Sequence, residues 1–271
     1  MATTPPPVPS GTAGDHDVAY AVDGAVATIT INRPDRRNAL TWDLVGALRR
    51  RVADAAGDRA VRVVVLTGAG DRAFCAGADL GGMAGADTVA MHTARGQLAG
   101  LFGDLWSLGK PTIARVRGFA LAGGMGLALS CDLVVAADDA VFGTPEIDVG
   151  LWPFMITVPL VRSMPPKRAL ELMMTGRRVG AHEAAAIGFV TTVVDVDALD
   201  DAVAALAATL AAKPPGAMRL GRDSFYAVHD AAAADALAQL HAVLGVAADS
   251  DEATEGLAAF AEKRPPRWAA T

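Results

Sequence analysis

Cysteine is scarce in this chain. Cys75 and Cys131 are the two among 271 residues, and no apolar stretch stands behind a basic start, so the expected compartment is the reducing cytoplasm. Long apolar runs are also missing. Val63–Leu66 and Leu133–Ala137 fall far short of the ~20 residues that cross a bilayer, so no membrane partner is expected. Positive charge is in deficit: 24 Lys and Arg face 30 Asp and Glu, a net charge of −6. That balance offers no basic field for a phosphate backbone and excludes nucleic acid as a partner. No G-x-S-x-G elbow occurs, and no histidine pair stands at i, i+4 with a carboxylate between. His16, His92, His182, His229 and His241 are scattered, so no metal site is expected.

What is present is apolar material. Hydrophobic residues make up 52% and charged residues 20%, a balance that suits a compact fold of one or two domains. The Pro-rich stretch through Asp17 cannot bury apolar area and is expected to form a disordered tail, residues 1–17. Residues 18–195 read as an α/β core. Val18–Asn32 suggests two strands around an Asp23-Gly24 turn. Thr41 is a candidate N-cap for a helix through Ala56, because Leu44, Val45, Leu48 and Val52 recur at helical spacing. Val61–Leu66 is a β-branched run of the kind buried on both faces, which suits a parallel strand. A helix over Thr88–Leu108 and strands at Thr112–Val116 and Asp132–Ala136 continue the alternation that defines an α/β class. Residues 196–271 form a helical C-terminal region. Helices are expected at Lys167–Thr175, Ala181–Ile187, Leu199–Ala212 and from Gly216 onward, with one strand at Val190–Val194 among them.

Two glycine-rich segments could carry chemistry. Gly68-Ala-Gly70 with Asp87 downstream mimics a dinucleotide fingerprint, but Phe74–Gly82 brings further glycines and no helical period where a phosphate-facing helix should open. Gly118-Phe-Ala-Leu-Ala-Gly123-Gly124-Met-Gly126 follows a strand and precedes a helix. Its glycines either permit close packing or leave backbone N–H groups free for a negative oxygen. Acyl chemistry needs two such donors converging from different loops, and the Gly77 turn offers the second.

With these residues in place, the chain resembles the crotonase family, the enoyl-CoA hydratase/isomerase superfamily, from about Val18 to Trp268. The pieces that carry the resemblance are Asn32-Arg-Pro-Asp-Arg-Arg-Asn-Ala-Leu40, Phe74-Cys-Ala-Gly-Ala-Asp-Leu80, Gly118–Gly126, Cys131-Asp-Leu133, Phe142-Gly-Thr-Pro-Glu-Ile147, Thr175–Val190 and Phe260-Ala-Glu-Lys-Arg-Pro-Pro266. The resemblance implies a ββα spiral core with a C-terminal helical trimerisation region, and a homotrimer or a hexamer made as a dimer of trimers. It implies an acyl-CoA thioester as partner and no cofactor beyond the coenzyme A of that substrate. The catalytic set it implies is Glu146 with the backbone N–H groups of Ala78 and Gly123. The Ala76 carbonyl would meet the adenine amino group, and Arg36 or Arg37 and Lys263 would approach the phosphates. Asp79, Leu80, Gly124, Gly126 and Pro145 complete the substrate-binding positions.

The chain departs from the family pattern at Gly126, where similar hydratases carry a second glutamate. The family label implies an enoyl-CoA hydratase, while one retained glutamate suits a Δ3-Δ2-enoyl-CoA isomerase that lifts a proton from C2 and returns it at C4. A non-catalytic acyl-CoA binder and a Clp-type serine peptidase on the same fold are the remoter alternatives, the latter lacking a serine beside Gly123. Asp148 either shares a face with Glu146 in an extended segment or caps loop backbone. Leu151–Met155 forms either a bulky apolar pocket wall or core packing, and Gly126→Glu is expected to raise hydration if the pocket tolerates it.

Overall fold

The computed structural model describes residues 14–79 and 88–270. Thirteen residues of the expected tail therefore lie outside it, but its end does not: Asp15–Asp17 forms a 3-10 turn tied to the core by Arg50–Asp15 at 2.6 Å and Arg33–Asp17 at 3.3 Å. β1 (Val18–Asp23) and β2 (Val26–Ile31) then form the expected antiparallel hairpin. Helix α1 (Trp42–Gly57) is capped by the Thr41 side chain, which accepts from the Leu44 N–H, and buries Leu44, Val45, Leu48 and Val52.

β3 (Val63–Gly68), β5 (Thr112–Val116), β7 (Leu133–Ala137) and β10 (Thr192–Val194) extend the sheet in the order β1-β2-β3-β5-β7-β10, every pair after the hairpin being parallel. Alternation along β3 sorts its side chains between two cores. Val64 and Leu66 join Ala114, Val134 and α1 on one face, while Val63 and Val65 join Ile113, Val135 and helix α7 (Leu199–Ala211) on the other. That double cover explains an unbroken Val-Val-Val-Leu run where a half-exposed strand would alternate. The strand opens at Val63, and β10 at Thr192, each two residues later than the sequence pattern suggests.

A second sheet escapes the sequence reading. β4 (Ala73–Cys75), β6 (Phe119–Leu121), β8 (Val141–Gly143) and β9 (Arg178–Gly180) pair in that order, the first three in parallel and β9 antiparallel. Each is three residues long, too short to display a period. Val190–Val194 is therefore not the one strand among the later helices. Helix α2 (Thr88–Trp106) packs on α1, α3 (Gly123–Leu129) follows β6, and α4 (Thr157–Ser163), α5 (Pro166–Thr175) and α6 (Ala181–Ile187) follow β8. Of these, α4 has no counterpart in the sequence reading.

The C-terminal helices are α8 (Pro215–Val228), α9 (Ala233–Ala248) and α10 (Asp251–Ala261). They leave Leu237, Leu244, Leu257 and Phe260 exposed. No helix of the described residues is long and apolar enough to cross a membrane. The anchor of α8 is Arg222, 8% exposed, whose guanidinium donates to the carbonyls of Leu105 (2.6 Å) and Trp106 (2.9 Å) and to Asp132 (2.7 Å). Asp132 also accepts from the Thr112 N–H and the Tyr226 hydroxyl. Arg222→Ala removes one partner of a buried pair and strands the other, which costs about 3–5 kcal/mol. Urea denaturation should show a loss of that order, and a loss under about 1 kcal/mol would mean that the pair behaves like an exposed one.

Candidate active site

The three parallel strands of the second sheet point their carboxyl ends the same way, and each end delivers one motif. Ala76–Asp79 leaves β4, Ala122–Gly126 leaves β6 and Thr144–Glu146 leaves β8. The register Leu121↔Gly143 continues as a hydrogen bond from the Ala122 N–H to the Gly143 carbonyl, 2.8 Å. Open crevices beyond the carboxyl ends of parallel strands are where α/β folds bind ligands.

Glycine lets these loops touch. A Cβ on Gly124 would collide with the Cys75 carbonyl. A Cβ on Gly77, which sits at φ +97, would lie 2.8 Å from the Ala122 Cβ and 3.7 Å from the Gly123 nitrogen. The approach strains its neighbour: Ala122 holds φ 51 and ψ −128, a left-handed backbone that an L residue keeps only where surrounding structure enforces it. The Gly77 turn is stitched to the chain before α1, for Leu40 N donates to Gly77 O and Asp79 N to Leu40 O, at 2.8 and 2.9 Å. Those two bonds turn the intervening Ala78 N–H away from Leu40. Neither Ala78 nor Gly123 donates its N–H to any acceptor among the described residues, and for Gly123 this is the ordinary state of a helix's first turn.

Glu146 stands at the second residue of a 3-10 turn, Pro145–Val149, with Pro145 at its start. The Thr144 hydroxyl fixes the entrance by donating to Leu172 O at 3.0 Å. The Glu146 Oε2 is buried and has no hydrogen-bond partner. Burial holds this carboxyl above the ordinary glutamate range, with its own backbone N–H as a smaller opposing influence. The segment is not extended, which removes the alternative in which Asp148 shares a face with Glu146. Successive residues of a 3-10 turn are about 120° apart, so i and i+2 diverge. Asp148 is exposed, its carboxylate oxygens 3.1 and 3.3 Å from where a Gly176 Cβ would stand.

The place left by Gly126 is filled. A Cβ there would collide with the Ile156 Cγ2 and lie 2.9 Å from the Ile156 Cβ and 3.1 Å from the Phe102 ring. Gly126→Glu alone is therefore not the gain of a second acid that the sequence suggested, because no space receives it. Cys75, fully buried beneath the Gly77 turn, has its thiol pushed up to about 12 by burial and is no nucleophile at neutral pH.

Arg36 and Arg37 are exposed and form no ion pair among the described residues. Their loop is joined to the first motif by Ala76 N donating to Arg37 O, 3.0 Å. The residue that shapes this loop went unnoticed in the sequence. Asn38 is fully buried, adopts φ 56, accepts from Arg33 N and donates to the Ala69 and Ala73 carbonyls. Its signal was the residue type itself, since asparagine is among the few non-glycine residues that tolerate left-handed backbone. Asp79 pairs with Arg33 at 3.2 Å, and Leu80, like Asp87, lies outside the described residues. Lys263 is exposed just after α10 and forms no ion pair among the described residues, while the neighbouring Arg264 pairs with Glu255 and Glu262. The segment beyond it bonds through Trp268 O to Arg62, just before β3. Arg36, Arg37, Ala76–Asp79, Gly123, Gly124 and Glu146 are thus gathered around the strand ends, and Lys263 has no bond that joins it to them.

The profile of the family described as enoyl-CoA hydratase/isomerase matches residues 21–271. The chain is 36% identical over 243 residues to the 2,3-dehydroadipyl-CoA hydratase of Escherichia coli, covering 89% of this chain and 94% of that protein. It is 34% identical over 255 residues to the short-chain-enoyl-CoA hydratase of Clostridium acetobutylicum, covering 92% and 96%. The crystal structure of an enoyl-CoA hydratase from Mycobacterium smegmatis superposes with a TM-score of 0.90 at 36% identity, over 93% of this chain and 98% of that one.

The raised Glu146 carboxyl has a consequence for stability. A fold that prefers the neutral acid is favoured below the unfolded-state value and loses that contribution as pH rises through the folded value. Glu146→Gln removes the buried charge, so the variant should resist urea better than the parent at pH 8, the gap closing as pH falls toward the ordinary carboxylate range. Equal midpoints at pH 8 would mean that the carboxyl is not desolvated.

Proposed function

The chain belongs to the enoyl-CoA hydratase/isomerase family, and from that premise we propose that it moves a proton at C2 of an enoyl-CoA thioester. Glu146 is the acid–base group, and the N–H groups of Ala78 and Gly123 hold the thioester oxygen. The observation that carries this reading is the buried, unpartnered Glu146 Oε2 just past the carboxyl end of β8, whose last residue accepts from the Ala122 N–H. Removing a C2 proton leaves an enolate whose charge gathers on the thioester oxygen. Two preorganised donors stabilise that charge, each by about 3 kcal/mol. A carboxyl held above its usual range suits the proton transfer, because a base works best when its affinity for protons lies nearer the working pH.

The remaining positions take roles in holding coenzyme A. The Ala76 carbonyl takes the role of acceptor for the adenine amino group, and the exposed Arg36 and Arg37 that of cations for the phosphates. Lys263 is the C-terminal cation that would approach the nucleotide end, from this subunit or from a neighbouring one. Assembly into a homotrimer or a hexamer of two trimers would cover the exposed Leu237, Leu244, Leu257 and Phe260. The chemistry is redox-neutral and asks for no cofactor beyond the substrate's own coenzyme A.

The names of the relatives support hydration as the net reaction. Glycine at position 126 favours a second reading, isomerisation of a 3-enoyl to a 2-enoyl thioester, which needs one carboxyl rather than two. Both readings stand on Glu146. Glu146→Gln should lower turnover of enoyl-CoA thioesters by about 10²–10⁴-fold while leaving the affinity for a coenzyme A ester nearly unchanged by calorimetry. Turnover that survives the substitution in a folded variant would remove Glu146 from the chemistry.

A further inference from the structure

We infer that Ile156 and Phe102 decide the reaction, forming a dry wall beside the first turn of α3 that denies water a second proton acceptor and commits the site to shuttling one proton within the substrate. This rests on the reading of Glu146 as the acid–base group. Position 126 lies one helical turn beyond Gly123, on the same face, and a side chain there would lean back toward the Gly123 N–H. That direction is occupied by Ile156 and Phe102, both 3% exposed. The Cβ position of Gly123 itself faces the Leu40 Cδ1 at 3.5 Å and the Leu98 Cδ2 at 3.6 Å. The side chains that a Cβ at position 123 or 126 would meet are thus Leu40, Leu98, Phe102 and Ile156, all hydrocarbon, and none can take a proton from water. Asp148 is turned outward, and Asp79 is engaged by Arg33.

The two reactions make different demands on such a wall. Hydration adds water across C2=C3, the hydroxyl going to C3 and a proton to C2, so one group must position the water and receive its second proton while another serves C2. Isomerisation needs no water. Glu146 takes a proton from C2 of a 3-enoyl thioester, the electron pair spreads over C2, C4 and the thioester oxygen, and the proton returns at C4 to leave a C2=C3 double bond. The same carboxylate is regenerated, and atoms and charge balance without a co-reactant. Glycine at 126 and isoleucine at 156 act as a matched pair, since the bulk of one requires the absence of a side chain at the other.

The test compares the two activities in the whole protein, with a 3-enoyl-CoA and a 2-enoyl-CoA of equal chain length. A missing acid–base group costs about 10²–10⁴-fold, so the wild type should isomerise the first at least about a hundredfold faster than it hydrates the second. Ile156→Ala, which opens the wall, should narrow that ratio by about tenfold or more, and adding Gly126→Glu in the same chain should narrow it further. Ile156→Val carries the comparison if Ile156→Ala does not fold. Glu146-dependent hydration as fast as isomerisation in the wild type, or an unchanged ratio in a folded Ile156 variant, overturns the role of the wall and leaves Glu146 standing. Turnover of neither ester, or turnover indifferent to Glu146→Gln, overturns the reading beneath it as well.

Discussion

Backbone contact between loops is the constraint on which the rest of this site depends. Three strand ends must come close enough for main-chain atoms, rather than side chains, to face one small volume. Glycine at 124 against the Cys75 carbonyl, and glycine at 77 against Ala122, are what allow it. A side chain at either place would push the Gly77 turn from α3 and separate the Ala78 and Gly123 N–H groups. The strain at Ala122 belongs to the same arrangement, because a turn tight enough to present Gly123 bends through a backbone region that alanine does not choose. The parallel register of β6 and β8, continued by the bond from Ala122 to Gly143, then brings Glu146 to the same edge.

The larger sheet supplies the rigidity that such strain requires. Its strands are covered on one face by α1 and on the other by α7, and their alternating side chains feed two separate cores. Polar groups tie this frame together, as the Asp132–Arg222–Tyr226 group and Asn38 show. Among the described residues, five buried polar side-chain atoms lack a partner, those of Tyr20, Trp42, Arg51, Asp223 and Glu146, and Glu146 is the one at the carboxyl ends of the second sheet. A buried carboxyl oxygen without a partner costs free energy, and the fold tolerates the cost at a place where an unengaged, desolvated carboxyl is chemically useful.

Much of this frame was legible in the sequence, because long periodic elements announce themselves. The Thr41 cap, the Leu44–Val52 stripe and the doubly buried β3 run follow from helical and strand periods. The motif residues were legible too, through a resemblance carried by several short pieces in order. What stayed hidden was local or long-range. β4, β6 and β8 are three residues each, so the sheet that aligns the site has no period to detect. The 3-10 turn that parts Asp148 from Glu146 depends on Pro145 and on an anchor at Leu172. The encounter of Ile156 with Gly126 joins positions thirty residues apart, which no local pattern reports.

The proposed convergence of two backbone donors on one oxygen is open to direct observation. An acyl-CoA carrying carbon-13 at the thioester carbonyl, bound to the protein, shows its carbonyl stretch in an isotope-edited infrared difference spectrum. Donors aimed at the oxygen lengthen and polarise the C=O bond. The account predicts a band shifted to lower frequency than in water, and a shift largely lost in Gly123→Pro, which has no N–H at that position. A bound thioester whose carbonyl absorbs where it does in water would contradict it.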